Sequence, residues 1–339
     1  MAKKILFIGL KYCYGKKELG ESLNKKAHLD SFIKLGYKTE ALWIDEYKKD
    51  ILNQVILKKA NEFLPDLIFF KLFKFEIKIE TLQALKTNFF ISNWFGDDQW
   101  RFDSFSSLYA KYFNACITTD KYSRNKYLSV GQENLILSQH ASFENSSNYK
   151  FVDYKYDVSF IGAANSYRRW FVKCLINEGI KVTCFGSGWK NGRVSYQQMD
   201  EIILHSKINL NISNSVSHDV RYIFSSLKSL YTYMKSILTS GSKNSSQTKA
   251  RNFEIPVRGG FEITEYVPSL GDYFDLDKHI ICYTNLDDAT QLIKFYLFNS
   301  HEREKIKISS VQFARKNHTY LKRTKDIMDE LNKFIGLQK

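Results

Sequence analysis

The chain has 339 residues, 44% of them hydrophobic and 15% aromatic, and a formal net charge of +14. That length suits two domains of ordinary size, and the apolar content excludes a disordered chain. Five cysteines, Cys13, Cys116, Cys174, Cys184 and Cys282, are scattered without a C-x-x-C pair, which argues against a disulfide framework and a zinc site and fits a reducing cytoplasm.

The first residues, MAKKILFIGL, read as a buried strand rather than a signal peptide. No apolar run approaches the ~20 residues of a membrane-spanning helix. Lys4 to Gly9 is the first strand, followed by a helix over about Ser22 to Leu35 that ends at Gly36 and a second strand at Thr39 to Trp43. Helices at Tyr47 to Phe63 and Ile77 to Thr87 then alternate with strands at Asp66 to Phe70 and Asn88 to Trp94. A strand at Ala115 to Thr118, a helix at Tyr122 to Leu128 and a strand at Leu135 to Leu137 complete this series. Such alternation implies a parallel sheet with its ligand crevice at the carboxyl ends of the strands.

The polar cluster Glu144 to Lys150 places a domain boundary near residue 150. A second series follows, with strands at Val158 to Ile161, Val182 to Phe185 and Ile208 to Ile212 and helices at Tyr167 to Glu178 and Gln197 to His205. Its strand ends supply Gly162, Gly186 and Asn211. Within 213–248, the residues Tyr222, Phe224, Leu227, Leu230, Tyr231, Met234 and Leu238 predict a helix with an aromatic face, flanked by Lys228 and Lys235 and followed by the loop SGSKNSSQT. An aromatic stripe of this kind reads first as core, and second as a surface that meets an acceptor or a membrane.

Three places carry candidate chemistry. In KARNFEIPVRGGFEITEY, Arg251 offers a planar fork to a phosphate, Glu254 accepts from vicinal hydroxyls, and the Gly259–Gly260 pair lets the backbone take positive φ and approach a ligand. The bland alternative is a corner closed by an Arg251–Glu254 salt bridge. Asp97 and Asp98 end a strand where the crevice of the first sheet should lie, one as a base or sugar-hydroxyl partner and the other as a helix cap. His140, near the domain junction, has an intrinsic pKa suited to proton transfer.

The segment R-x-F-E-I-P-x-x-G-G-F-x-x-T-E, Arg251 to Glu265, resembles the signature of the CgeB-type (spore maturation protein-like) glycosyltransferases of the GT-B superfamily. Four further blocks agree in order: Val158 to Gly162 with Arg168 and Arg169, Phe185 to Trp189, Lys207 to Ile212, and His318 to Tyr320 with Arg323. The resemblance spans roughly residues 155 to 330, a domain-sized part of the chain. It implies two facing Rossmann-like domains: residues 1–150 on the acceptor side, 151–310 binding the nucleotide sugar, and 311–339 as a helix crossing back to the first domain.

It further implies transfer of a hexose or related sugar from a UDP, GDP or TDP donor, with no cofactor and no metal. Gly162, Arg168, Arg169, Gly186, Arg251, Glu254, Gly259, Gly260, Thr264 and Glu265 would bind the donor, and Asp97, Asp98 or His140 would act on the acceptor. Glu254 resembles the carboxylate that holds the nucleotide ribose in related enzymes. Ser246 stands where the larger pattern has a second acid eight positions earlier, and Glu262, eight positions later, reads as a chance match. His318 would orient the last helix. The expected acceptor is a glycan or glycolipid, with the protein cytoplasmic or peripheral at the inner membrane. The alternatives are modified DNA as acceptor, or a nucleotide- or nucleic-acid-binding protein without catalysis, for which no recognition motif is present.

Overall fold

Runs such as ILFI, LIFF and FISNWF are apolar at nearly every position, as strands buried on both faces of a parallel sheet require. In the computed structural model, which describes residues 2–337 apart from 24, 146, 150, 151 and 240–245, these runs build two units, Met1–Phe143 with Tyr320–Lys339 and Glu144–Thr319. Ser146 and Lys150 of the predicted boundary cluster, and 240–245 of the predicted serine-rich loop, lie outside the described residues.

The first unit winds through β1 (Lys4–Gly9), α1 (Asp30–Lys34), β2 (Lys38–Trp43), α2 (Lys49–Phe63), β3 (Leu67–Lys71), α3 (Ile79–Asn88) and β4 (Phe90–Phe95). It continues through the short turns α4 (Asp98–Arg101) and α5 (Ser107–Tyr109) to β5 (Ala115–Thr118), α6 (Arg124–Ser129) and β6 (Leu135–Leu137). The sheet order is β2-β1-β3-β4-β5-β6 and every pairing is parallel. The chain therefore reverses its winding direction between β1 and β3, where Gly9 lies opposite Lys71, and a crevice opens at the carboxyl ends of those strands.

The second unit runs β7 (Tyr156–Ile161), α7 (Ser166–Asn177), β8 (Val182–Phe185), α8 (Tyr196–Leu204), β9 (Ser206–Asn211), α9 (Val220–Ile223) and α10 (Leu227–Leu238). There follow α11 (Arg251–Val257), β10 (Glu262–Glu265), β11 (Ile281–Tyr283), α12 (Leu286–Phe298) and α13 (Ser300–Asn317). Its parallel sheet has the order β11-β10-β9-β7-β8, so the reversal falls between β7 and β9. Side chains start the flanking helices: Asn165 caps α7, and Ser195 with Gln198 forms a capping box on α8. The last helix, α14 (Tyr320–Leu337), belongs to the first unit, where Ile327, Met328, Leu331 and Ile335 share a core with Phe7, Phe32 and Phe69.

Two local readings differ from the periodicity. The predicted helix over Ser22 to Leu35 contains a wide π turn at Lys25–Leu29 before α1, and this turn buries Ala27, His28 and Leu29 in succession. A π turn holds one residue more than an α-helical turn, so it shifts the face that an uninterrupted 3.6-residue period would bury. Strands β10 and β11 are four and three residues long, too short for an alternation to register.

The glycine pair after α11 has a packing role. Gly259 has a φ of 92°, which ends the helix. Gly260 lies outside the positive-φ region, and a Cβ there would stand 2.6 Å from Ile203 Cγ2 and 2.7 Å from Asn209 Nδ2. The positive φ expected of the pair is thus present at Gly259, while Gly260 is required by close packing against Ile203 and Asn209. Gly260→Val is accordingly expected to abolish the cooperative melting of the second unit, as followed by circular dichroism and limited proteolysis, with ligand binding lost as a consequence of unfolding.

Candidate functional site

In the second unit the winding reversal is occupied by Arg168. Its guanidinium donates to the Ala163 carbonyl after β7 at 3.0 Å and to the Ile212 carbonyl after β9 at 2.7 Å, while lying over the Phe160 ring. Burial lowers its pKa, and the charges of Glu265 and Arg251 both reach it. The Gly162 amide donates to the Phe185 carbonyl at 2.9 Å, so that amide is already engaged and does not await a phosphate. Gly186, with a φ of 123°, lets the β8 loop close on this turn: any Cβ there would overlap the Gly162 carbonyl. Arg169 stays exposed, donating to the Gly188 carbonyl over the Trp189 ring.

Arg251 and Glu254 form a salt bridge of 2.7 Å on α11, with Glu254 buried. The bland reading of this pair is therefore realised, although only one oxygen of Glu254 is committed to it. Glu265 accepts from the Asn214 backbone amide and from Asn214 Nδ2, both at 2.9 Å, and the same Nδ2 reaches Ser246 Oγ at 3.0 Å. Ser246, standing in place of an acid, is thus tied through Asn214 to Glu265. Thr264 accepts from Asn252 Nδ2 at 2.9 Å, and Asn252 and Asn211 each donate to Glu262 Oε1 at 3.0 Å. His318 packs among Phe253, Phe274 and Phe313 and bonds the Tyr273 carbonyl at 2.7 Å, a structural position.

The first unit has its own constellation at the β1/β3 reversal. Lys71, the last residue of β3, sets Nζ 3.2 Å from His28 Nε2 and 3.8 Å from the centroid of Trp94. The π turn delivers His28 to this place, with its ring 5.3 Å from Trp94, and His140 meets the same indole edge-on at 5.2 Å. Burial lowers the Lys71 pKa to about 7, opposed by the Asp97 carboxylate, and burial holds His28 neutral. His28 Nδ1, Asn93 Nδ2 and Trp94 Nε1 are buried and meet no hydrogen-bond partner among the described residues. Buried polar atoms of this kind are rare unless a ligand or water serves them.

Asp97 and Asp98, adjacent in sequence, are separated in role. Asp97 is half-buried, accepts from Trp100 Nε1 at 3.3 Å and acts on Lys71. Asp98 is enclosed by the hydroxyls of Ser106, Thr118 and Tyr127 at 2.5, 2.5 and 2.7 Å. Those three donors fill its carboxylate and leave it tying α4, β5 and α6 together, so Asp98 is corrected from a catalytic to a structural residue. The sequence reading missed Lys71, His28, Asn214 and Asn252 and set Glu262 aside as a chance match; for Lys71 and Asn214 the signal was position at or just beyond a strand end, visible once strand order is known, while His28 and Asn252 lie inside helical turns and left none.

Burial pushes the Glu262 carboxyl up to about 8 against the pull of its amide donors, and Oε2 has no partner among the described residues. At neutral pH Glu262 therefore keeps its proton, which the unfolded chain releases near 4.5. The folded state binds the extra proton between these values, so this group's contribution to stability falls as pH rises from about 4.5 to 8. Glu262→Gln, which presents an amide where the acid holds its proton, is expected to flatten that fall, giving a higher melting temperature than the parent at pH 8 and a similar one at pH 5. Identical melting curves at both pH values would disprove the neutral-acid assignment.

Residues 168–329 match the family described as Glycosyl transferase-like. A search of curated proteins gives no match. Among solved structures, the chain is similar to Anabaena Alr3699/HepE, crystallised with UDP, at a TM-score of 0.61 and 9% identity over 97% of this chain and 100% of that one. It is similar to sucrose-phosphate synthase from Thermosynechococcus elongatus at a TM-score of 0.63 and 8% identity, over 99% and 100% of the two chains. A point mutant of S. aureus TarM, in complex with Fondaparinux, alpha-GlcNAc-glycerol and UDP, is matched at 0.54 and 10% identity, over 84% of this chain and 59% of that one. The two parallel-sheet α/β units are therefore those of the GT-B fold, and about half of the chain carries a glycosyltransferase-like sequence.

Proposed function

We propose that this protein is a glycosyltransferase of the CgeB type that moves a sugar from a nucleotide sugar to a hydroxyl of a glycan or glycolipid. The observation that carries the reading is the placement of Arg168, Arg251, Glu254 and Glu265 around one winding reversal, inside the stretch that matches the glycosyltransferase-like family. Anabaena HepE is crystallised with UDP and with UDP-glucose, which makes UDP the first nucleotide to test, ahead of GDP and TDP. The Arg251 fork has donors beyond its bond to Glu254, and these would answer the charge that gathers on the departing diphosphate. The second oxygen of Glu254 would take the ribose hydroxyls. Arg168, whose fork is occupied by two carbonyls, acts by holding the β7 and β9 loops together and by its fixed charge.

On the acceptor side, a neutral Lys71 amine supported by His28 would take the proton of the attacking hydroxyl, beside an indole suited to a sugar face, with His140 and Asp97 bordering it. A buried lysine near neutrality has the proton affinity that general-base catalysis favours. TarM with an oligosaccharide and a glycosyl glycerol supports a glycan acceptor. The glycolipid form of that acceptor would bring the protein to a membrane surface.

A thermal-shift panel of UDP, GDP and TDP sugars tests the donor: a ligand at 100 times its dissociation constant adds ~2.7 kcal/mol to stability. Glu254→Gln is expected to weaken binding of the best donor about tenfold, ~1.4 kcal/mol, measured well below the variant's melting temperature, which loss of the buried Arg251 salt bridge lowers. No shift with any of the three sugars would end the glycosyltransferase reading. For the acceptor side, kcat/KM is expected to rise with pH through about 7 and level off above it, because the Lys71 amine acts only when deprotonated. Lys71→Met is expected to remove that limb and lower the rate about 10²-fold or more.

A further inference from the structure

The helix α10 (Leu227–Leu238) is assembled inside out. Its core-facing positions include Ser229 and Ser236, both buried, with Leu230 and Tyr233 only partly buried against the second core. Its outward row is Leu227, Tyr231, Met234 and Leu238, with exposures of 88%, 67%, 45% and 75%, joined by Ile237 at 56%. Val220 and Phe224, 65% and 77% exposed, lie on and just after the preceding short helix α9, which a turn at 224–226 separates from α10. Burying such side chains is worth ~1.5–3 kcal/mol each. Five such side chains on one helix turned to water are the kind of surface that marks a docking face.

The charges beside this row indicate what covers it. Lys228 and Lys235 each follow an outward residue and stand one heptad apart, and both are exposed. The helix LKSLYTYMKSIL contains no acidic residue. Among the described residues neither ammonium has an ion-pair partner. Arg221, one heptad earlier, is committed to Asp219 and Asp287 at 2.7 and 2.8 Å. Pairing with a second copy would bring like-charged lysine rows together with no carboxylate on either helix to answer them. A bilayer of anionic lipids answers both features at once, with acyl chains for the apolar row and phosphates for the lysines.

We propose that α10, with the exposed residues of α9, lies in the headgroup region of an anionic phospholipid membrane and docks the second unit there. The apolar row enters the acyl boundary, Tyr231 keeps its hydroxyl at the wet level, and Lys228 and Lys235 meet lipid phosphates. This binding is read without any sugar transfer, so it stands or falls separately from the donor chemistry.

The test is cosedimentation of the full chain with vesicles of phosphatidylcholine alone and of equimolar phosphatidylcholine and phosphatidylglycerol. The expected result is binding to the mixed vesicles only, weakening as salt is raised. Lys228→Gln and Lys235→Gln should each lower the partition coefficient about fivefold. The triple change Leu227→Ser, Tyr231→Ser, Leu238→Ser should abolish binding while leaving the melting temperature unchanged, since these side chains support no core. Absence of binding to mixed vesicles overturns the proposal, as does equal binding by the triple variant. A protein that light scattering finds as two chains, and that the triple variant makes monomeric, overturns it in favour of a second copy.

Discussion

Both units depend on one topological constraint, the reversal of winding direction within an all-parallel sheet. Right-handed crossovers place successive helices on one face until the chain returns to the other side of its first strand. At that point the two loops leaving adjacent strands diverge and a crevice forms between them. In the first unit this happens between β1 and β3, and in the second between β7 and β9. Each crevice holds a half-buried basic side chain, Lys71 in one and Arg168 in the other. Strand order, rather than any single motif, decides where the chemistry collects.

The two cations answer burial differently. Arginine stays charged, so Arg168 satisfies its fork with carbonyls from the diverging loops and braces the crevice it occupies. Lysine sheds its proton more readily, and Lys71, against imidazole and indole, moves toward neutrality. Glu262 is the acidic counterpart, kept protonated by burial between two amide donors. Burial thus moves Lys71 and Glu262 toward their neutral forms, while Arg168 keeps its charge.

Much of the architecture was legible in the sequence because buried parallel strands and amphipathic helices leave strong periodic traces. The βα alternation and the strand ends at Gly162 and Gly186 follow from such traces, whereas the return of the last helix was implied only by the family resemblance. The site was legible in part. Arg251 and Glu254 stood out through their dense setting, whereas Lys71 is one of 50 basic residues and nothing local distinguishes it. Asn211, Asn214 and Asn252 act through hydrogen bonds to residues distant in the chain, which leave no spacing in the sequence. Asp97 and Asp98 could not be told apart, since their roles depend on hydroxyls from Ser106, Thr118 and Tyr127 that fold in from elsewhere. The helix around Leu227 had the right period, but period does not say which side meets the core: Tyr222 and, in part, Leu230 pack into it as the core-first reading expected, whereas Phe224, Leu227, Tyr231, Met234 and Leu238 are exposed.

The π turn at Lys25–Leu29 holds one residue more than an α-helical turn would, and that surplus is what carries His28 to Lys71. Deleting a single residue there would let the segment relax into a regular α-helix, rotating the side chains before it against those after it by ~100°. His28 would swing off the amine while α1 kept its own packing. The turn therefore makes the ring that faces the Lys71 amine adjustable by a length change in the chain, with no substitution of any residue in the crevice.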